Sequence, residues 1–221
     1  MNNQESKQSL PSAYALFRPS FNAVMVNIWT FLCLMLIPIV IVIVTGFFSG
    51  DGVFANDSLS KLLVPFLIPG FILAIITAPA LPYVQLASVR GKEITLGEAL
   101  RAGLKKFWRF YGVSLLTALI VSVGILLFII PGLFMLRRYL LAPYYLYDHD
   151  LKIMEAMRRS AEDSKQFSGS IWGIIGIQFL IGVIGVFPIL ALVSAILTVV
   201  YYCAPTVRYV QIQGATKHKK A

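Results

Sequence analysis

Four long stretches of the chain carry no charged residue, and they limit the possible folds more than any other feature of the sequence. They are residues 19–50, 62–89, 110–136 and 166–207. Each exceeds the ~20 residues that a helix needs to cross a bilayer. Backbone inside lipid must satisfy its own hydrogen bonds, and these runs lack the polar–apolar alternation of a membrane β-barrel. The sequence therefore predicts an all-α integral membrane protein.

The positive charges predict which side of the membrane each end of these stretches occupies. Sixteen of the 19 Lys and Arg residues fall in segments 1–22, 86–111, 148–168 and 208–221. A net charge of +9 could suggest nucleic acid, but we expect no nucleic-acid partner because the charge clusters at the ends of apolar runs. The positive-inside rule makes these segments cytoplasmic. We therefore expect a protein of the cell membrane with both termini in the cytoplasm and an even number of spans.

The lengths of the stretches predict six transmembrane helices. Residues 166–207 would form a helix about 63 Å long at 1.5 Å per residue, which is enough for two spans with a turn at Pro188. Residues 110–147 similarly divide at Pro131-Gly132. Together with 23–48 and 68–88, this gives three hairpins in a single membrane domain that covers residues 1–221. The helix over 133–148 is the shortest, so a full span and a re-entrant segment both stay open for it.

A short motif recurs once in each predicted hairpin. The second helix carries Ala-Pro with Tyr four residues after the Pro, and Pro131-Gly132 at the middle turn is matched by Pro69-Gly70 in the first hairpin. The motif residues are Pro79 and Tyr83, Pro143 and Tyr147, and Pro205 and Tyr209. We predict a pseudo-threefold repeat of interfacial helix, span and kinked span, with units at 12–88, 95–148 and 151–213 and a basic tail at 214–221. A shared membrane-exit geometry without common ancestry is the alternative.

Two segments between the hairpins are predicted to form cytoplasmic interfacial amphipathic helices. Thr95 and Glu98 form a capping box that opens the first. Its apolar face holds Ala99 and Gly103, and its cations are Arg101, Lys105, Lys106 and Arg109. Such a helix lies flat at the headgroups, with its cations toward anionic lipid. The second segment, 151–166, carries Arg158 and Arg159 and has a small inward face suited to close packing, formed by Ala156, Ser160, Ala161 and Ser164.

The stretch "IIPGLFMLRRYLLAPYYLYDHDLKIMEAMRRSAEDSKQFSGSIWGIIG" (129–176) resembles a known family. It is similar to the membrane domain joined to some bacterial glycerophosphoryl diester phosphodiesterases, and to its stand-alone multi-pass relatives. The resemblance covers roughly residues 95–213. It implies a membrane-embedded, bacterial protein. It does not imply diesterase activity, because that chemistry belongs to a separate soluble barrel for which this chain has no room.

The sequence offers little for catalysis or ion coupling. Asp148-His149-Asp150 is its only His/carboxylate cluster, and a loop with Asp150 as a helix N-cap is favoured over a metal or catalytic site. We predict no catalytic, cofactor-binding or metal-binding residue and no enzyme activity. Ion-coupled transporters usually place carboxylates within their spans, and this chain has none.

The two adjacent arginines at 137 and 138 complete the set of candidate headgroup-binding residues. Counted from a turn at Pro131-Gly132, they lie about 7–9 Å along the helix on the outer side, at 1.5 Å per residue. Snorkelling, pairing with a lipid phosphate and lining a polar cavity stay open for them. The favoured function is a non-enzymatic protein that binds or organises anionic phospholipid, or scaffolds a membrane-protein partner. The alternative is a transporter or lipid-translocating bundle with a cavity at the proline kinks.

Overall fold

The structure is a computed structural model that describes residues 10–36, 71–187 and 190–218. Within these ranges all regular structure is helical, which confirms the all-α class. After a short 3-10 turn at Tyr14–Leu16, the helices are α1 Phe17–Val26, α2 Ile28–Leu36, α3 Phe71–Thr77, α4 Ala80–Val89, α5 Leu96–Lys105, α6 Phe107–Leu127, α7 Ile129–Tyr139, α8 Ala142–Asp148, α9 Ile153–Gln166, α10 Ser168–Gly185, α11 Ala191–Tyr201 and α12 Ala204–His218. Most of the predicted first hairpin, the turn at Pro188 and the end of the basic tail lie outside the described residues.

Three helical segments in the described ranges are long and apolar enough to cross a membrane: Phe107–Leu127, Ser168–Gly185 and Ala191–Thr216. Two further pairs qualify if each bent pair counts as one crossing. Tyr14–Val26 meets Ile28–Leu36 at 86°, and Phe71–Thr77 meets Ala80–Val89 at 42°. The described part of the chain therefore provides three to five candidate crossings, as expected of a multi-pass membrane protein. The short pair α7 and α8 is not among them.

The turn of the middle hairpin lies at Phe128, so the predicted division at Pro131-Gly132 is wrong. Phe128 is extended, with φ −161° and ψ 146°, between the end of α6 and the start of α7. Pro131 falls in the first turn of α7, where a helix does not need the missing N–H. Gly132 lies against α6, because a Cβ built on Gly124 would be 2.8 Å from the Gly132 Cα. The Pro-Gly pair thus allows the two helices to pack closely beside the turn.

The helices that begin at or next to the Ala-Pro pairs form the centre of the molecule. Two-residue breaks at 78–79, 140–141 and 202–203 precede α4, α8 and α12. Helix α4 packs on both α8 and α12. The rings of Tyr144 and Tyr145 approach the Tyr209 ring, with centroids 5.8 and 4.9 Å apart. Most side chains of these three helices are buried. In the described residues the kinks therefore bring the three helices together and do not splay them around an open cavity.

Three amphipathic helices surround this centre. Helix α1 packs on α4 and α12, α5 packs on α4, and α9 packs on α7 and α8. The small face predicted for 151–166 is confirmed at Ala156, Ser160 and Ser164 of α9, which are fully buried, whereas Ala161 is only partly buried. We call α1, α4, α5, α8, α9 and α12 the inner tier.

The remaining helices expose apolar side chains over much of their length. We call α2, α3, α6, α7, α10 and α11 the apolar tier. Leu126 at the end of α6 is 88% exposed and Leu192 in α11 is 74% exposed. Exposed apolar surface on this scale is costly in water and is what a lipid-facing helix presents.

Candidate functional site

Helix α5 carries the first group of predicted headgroup-binding cations, and the predicted capping box fixes where it begins. The Glu98 N–H donates to Thr95 Oγ1 at 3.3 Å, and the Thr95 N–H donates to Glu98 Oε2 at 3.1 Å. Ala99 is fully buried against the inner tier. On the opposite face Arg101 and Lys105 are exposed, and in the described part of the chain neither forms a salt bridge or a side-chain hydrogen bond. These two cations are available to an external anion.

Lys106 and Arg109 belong to a different arrangement, although a helical wheel places them with Arg101 and Lys105. The Lys106 side chain is only 17% exposed, and its Nζ donates to the carbonyls of Leu146 at 3.0 Å and Tyr147 at 3.3 Å. These carbonyls belong to the last turn of α8, where the negative end of the helix dipole stabilises a cation. Lys106 and Arg109 also lie 2.9 and 3.0 Å from Asp150 Oδ1. Their charges are therefore used within the molecule.

The Asp148-His149-Asp150 segment ties several helices together. Asp148 accepts hydrogen bonds from Arg90 Nη2 at 2.6 Å and from the Tyr209 hydroxyl at 2.9 Å. Burial alone would raise the pKa of Asp148, but the hydrogen bonds from Arg90 and Tyr209 outweigh it and leave the pKa lowered. The carboxylate is thus charged at neutral pH and links α4, α8 and α12.

Asp150 does not cap the next helix as predicted. It has a positive φ of 51°, and the N-cap position of α9 is Lys152. The hydrogen bond from Lys106, followed by the charges of Lys106, Arg109 and Lys105, lowers the pKa of Asp150. Within residues 10–36, 71–187 and 190–218, no three His, Cys, Asp or Glu side chains lie close enough together to hold a metal ion.

Arg137 lies between α7 and α10 beside two aromatic rings. Its Cζ is 5.2 Å from the centroid of Phe134 and 5.9 Å from that of Trp172. The two rings contact each other edge to face, with centroids 5.5 Å apart. The side chain is half-buried, and its Nε is buried without a hydrogen-bond partner in the described chain.

Arg138 is exposed, with its Cζ 5.9 Å from the Tyr139 ring. Its backbone carbonyl accepts hydrogen bonds from the hydroxyls of Ser160 at 2.8 Å and Ser164 at 3.3 Å. Both serines belong to α9, whose outer face is charged. The arginine pair therefore lies beside the inner tier. With the turn at Phe128, Arg137 is about 14 Å along the helix from that turn, farther than the predicted 7–9 Å.

The other predicted residues have structural or surface positions. Arg158 and Arg159 are exposed on α9, and Arg158 Nε lies 3.7 Å from Glu162 Oε1 one turn later. Among the motif tyrosines, the Tyr147 hydroxyl donates to the carbonyl of Pro79 at 2.5 Å, which connects the second Ala-Pro segment to the first. The remaining motif residues lie at or just after the helix breaks, with Pro79 before α4, Pro143 in the first turn of α8, Pro205 in that of α12, and Tyr83 half-buried in α4.

Sequence reasoning missed the structural importance of Asn27. It lies at the 86° bend between α1 and α2, and only 5% of it is exposed. Its Nδ2 donates to Ser88 Oγ and to the Lys92 carbonyl, both at 2.9 Å, and its Oδ1 accepts from the Ile94 N–H at 2.8 Å. The only signal was an asparagine in a long uncharged stretch, one of two in residues 19–50, which does not reveal its partners 61 to 67 residues away.

A cavity of about 200 Å³ lies between α10 and α11, beside the break that precedes α12. It is partly open to the surface. Its lining residues are Gln178, Ile181, Gly182, Thr198, Tyr201 and Tyr202. The lining mixes apolar groups with an amide and hydroxyls and contains no charged side chain.

No protein-family model, no curated protein and no solved structure matches the chain. The resemblance of residues 95–213 to the phosphodiesterase-linked membrane domain therefore stays a prediction.

Proposed function

We propose that the chain is a non-enzymatic, multi-pass protein of the cell membrane that binds anionic phospholipid headgroups. The observation that carries this proposal is the division of the α5 cations. Lys106 and Arg109 form salt bridges within the molecule, whereas Arg101 and Lys105 are exposed and form no salt bridge or side-chain hydrogen bond in the described chain. Lys105 acts on Asp150 only through its charge. Each cation near an anionic leaflet contributes about 1 kcal/mol of attraction. Helix α5 thus presents its free charges beside the apolar surface that contacts lipid.

We further propose the finer topology of six spans in three repeated units, with both termini in the cytoplasm. Three helix junctions support it. Asn27, Lys106 and Phe167 separate α1 from α2, α5 from α6, and α9 from α10. Their φ and ψ angles are −126° and 39°, −110° and 14°, and −108° and 35°. A similar backbone turn in each unit is what repeated interfacial-helix-to-span connections require.

Two tryptophans support placing these junctions at the membrane surface. Trp29 and Trp108 each follow a junction residue by two positions, and they are 78% and 83% exposed. Tryptophan is enriched where the bilayer meets water, because its ring is apolar and its N–H is polar. The basic helix α5 would then lie at headgroup level.

A transporter or lipid-translocating bundle is the second candidate function. The cavity between α10 and α11 favours it, since Gln178 and Thr198 give this partly open cavity two polar groups beside a helix break. The tight packing of α4, α8 and α12 weighs against a wide path at the other two breaks. A liposome assay that detects lipid or solute movement by the purified protein would favour this function over simple lipid binding.

Native mass spectrometry of protein released from mixed bilayers tests the proposed function. With equal amounts of phosphatidylglycerol and phosphatidylcholine, we expect the retained lipid to be enriched several-fold in the anionic species. The double substitution Arg101→Gln/Lys105→Gln should reduce that enrichment, because it removes about 2 kcal/mol of attraction. Arg158→Gln is the matched control, since Arg158 already has Glu162 beside it. Equal retention of both lipids by the unmodified protein would contradict the proposal.

A further inference from the structure

We infer that Arg137 forms a discrete site for the phosphate of one anionic phospholipid, which reaches it from the lipid between α7 and α10. This inference rests on the proposed lipid-binding function and specifies one place and one chemical group. It differs from the diffuse attraction by α5, because one half-buried guanidinium would hold a single lipid.

The residues around Arg137 orient its guanidinium but provide no negative charge to neutralise it. The Phe134 and Trp172 rings flank the guanidinium at 5.2 and 5.9 Å and hold it by cation–π attraction. In the described chain, neither Arg137 nor Arg138 forms a salt bridge, and neither guanidinium donates a hydrogen bond. A half-buried cation is costly unless an anion pairs with it. A phosphate has the geometry that a guanidinium binds with two parallel hydrogen bonds.

In the register of the Ala-Pro motif, the position of Arg137 carries an exposed apolar residue in the other two copies. Counting back five residues from the Ala of each Ala-Pro pair gives Leu73, Arg137 and Val199. Leu73 and Val199 are 45% and 40% exposed on the apolar tier. A leucine or valine therefore suits this register, and the arginine is not required to build the bend. Its presence in one copy of the motif calls for a function specific to that copy.

Arg137 has a charged helix on one side and exposed apolar residues on the other. The adjacent Arg138 carbonyl is hydrogen-bonded to Ser160 and Ser164 of α9, whose charged outer face belongs near water. Toward the Phe128 turn, α7 presents Ile130 and Phe134, which are 69% and 46% exposed. A lipid with its phosphate at Arg137 would lay an acyl chain along these residues.

Trp172 provides a local reporter for this site. We would replace Trp29 and Trp108 by Phe, which leaves Trp172 as the sole tryptophan, since the chain has three. Quenching by phospholipids with brominated acyl chains then reports which lipid lies beside Arg137. We expect brominated phosphatidylglycerol to be favoured about tenfold over brominated phosphatidylcholine, as for one charge-assisted hydrogen-bonded pair. Arg137→Leu should lower that preference to less than about twofold.

The controls separate this site from the diffuse attraction and from free phosphate. Arg101→Gln/Lys105→Gln should leave the preference at Trp172 unchanged, and inorganic phosphate should not compete. Thermal stability should be retained in Arg137→Leu because leucine fits this register. If that variant does not fold, Arg137→Lys replaces it, with an expected intermediate preference because the charge is kept and the planar fork is lost.

Equal quenching by the two lipids in the parent protein would overturn the inference, as would full competition by inorganic phosphate. If mass spectrometry still shows anionic enrichment that depends on Arg101 and Lys105, the proposed function stands and only the Arg137 site fails. If neither experiment shows a preference, both proposals fail.

Discussion

Gly103→Leu is expected to destabilise the protein by about 3 kcal/mol or more, because the inner tier has no room for a side chain there. A Cβ at Gly103 would lie 2.7 Å from the Ala80 nitrogen and 2.9 Å from the Ala80 Cα. These are backbone atoms at the start of α4, so a rotamer change cannot relieve the clash. Thermal unfolding of the purified protein in detergent, followed by circular dichroism, measures the loss.

Gly97→Ala is the matched control in the same helix. A Cβ at Gly97 would meet no atom within 4 Å. Alanine is favoured over glycine in a helix by up to about 1 kcal/mol, so this variant should be as stable as the unmodified protein or slightly more so. An unchanged unfolding temperature in Gly103→Leu would show that α5 does not pack on α4 as described.

Asn27→Ala is expected to cost about 3 kcal/mol, which is the second large effect. The amide satisfies the hydroxyl of Ser88, the carbonyl of Lys92 and the N–H of Ile94 in a buried position. Its removal breaks three hydrogen bonds and leaves buried polar groups of the 88–94 connection without partners, at a cost of about 1–3 kcal/mol for each such group. The same unfolding measurement applies.

Asn22→Ala provides the control, because Asn22 lies on the same helix α1 but is exposed. It should change stability by no more than about 0.5 kcal/mol. Equal unfolding temperatures for Asn27→Ala and Asn22→Ala would contradict the hydrogen-bonded bend between α1 and α2.

Local patterns in the sequence predicted several features well. The spacing of Thr95 and Glu98 predicted the capping box that opens α5, because that motif depends on residues three apart in one turn. The small residues at 156, 160 and 164 predicted a buried face of α9, because they recur at the helical period. Both features are set within a few residues of the chain.

The turn of the middle hairpin shows where a local pattern misleads. Pro131-Gly132 favours a turn, but proline is also favoured in the first turn of a helix, and glycine allows two helices to approach closely. The structure uses these residues in the second way, with the turn at Phe128. Sequence spacing alone does not distinguish the two uses.

The candidate headgroup site shows a second limit of sequence reasoning. Arg101, Lys105, Lys106 and Arg109 look equivalent on a helical wheel, yet within the described chain only Lys106 and Arg109 of these four form side-chain hydrogen bonds or salt bridges, Lys106 with α8 and both with Asp150. Those partners lie about 40 residues away in sequence. Similarly, two adjacent arginines in an apolar segment predicted a candidate headgroup site at 137 and 138. Their place beside the inner tier follows only from the contact of Arg138 with α9.

The topology on which the lipid proposals depend has its most direct test in cysteine accessibility. Phe128, at the turn after α6, is 74% exposed, and Lys152, just before α9, is also exposed. Single cysteines would replace each in a chain whose own Cys33 and Cys203 are changed to serine and alanine. If α6 crosses the membrane and the basic helices face the cytoplasm, a membrane-impermeant maleimide added to intact cells should label Phe128→Cys. It should label Lys152→Cys only after permeabilisation. Labelling of both positions from the same side would contradict this account.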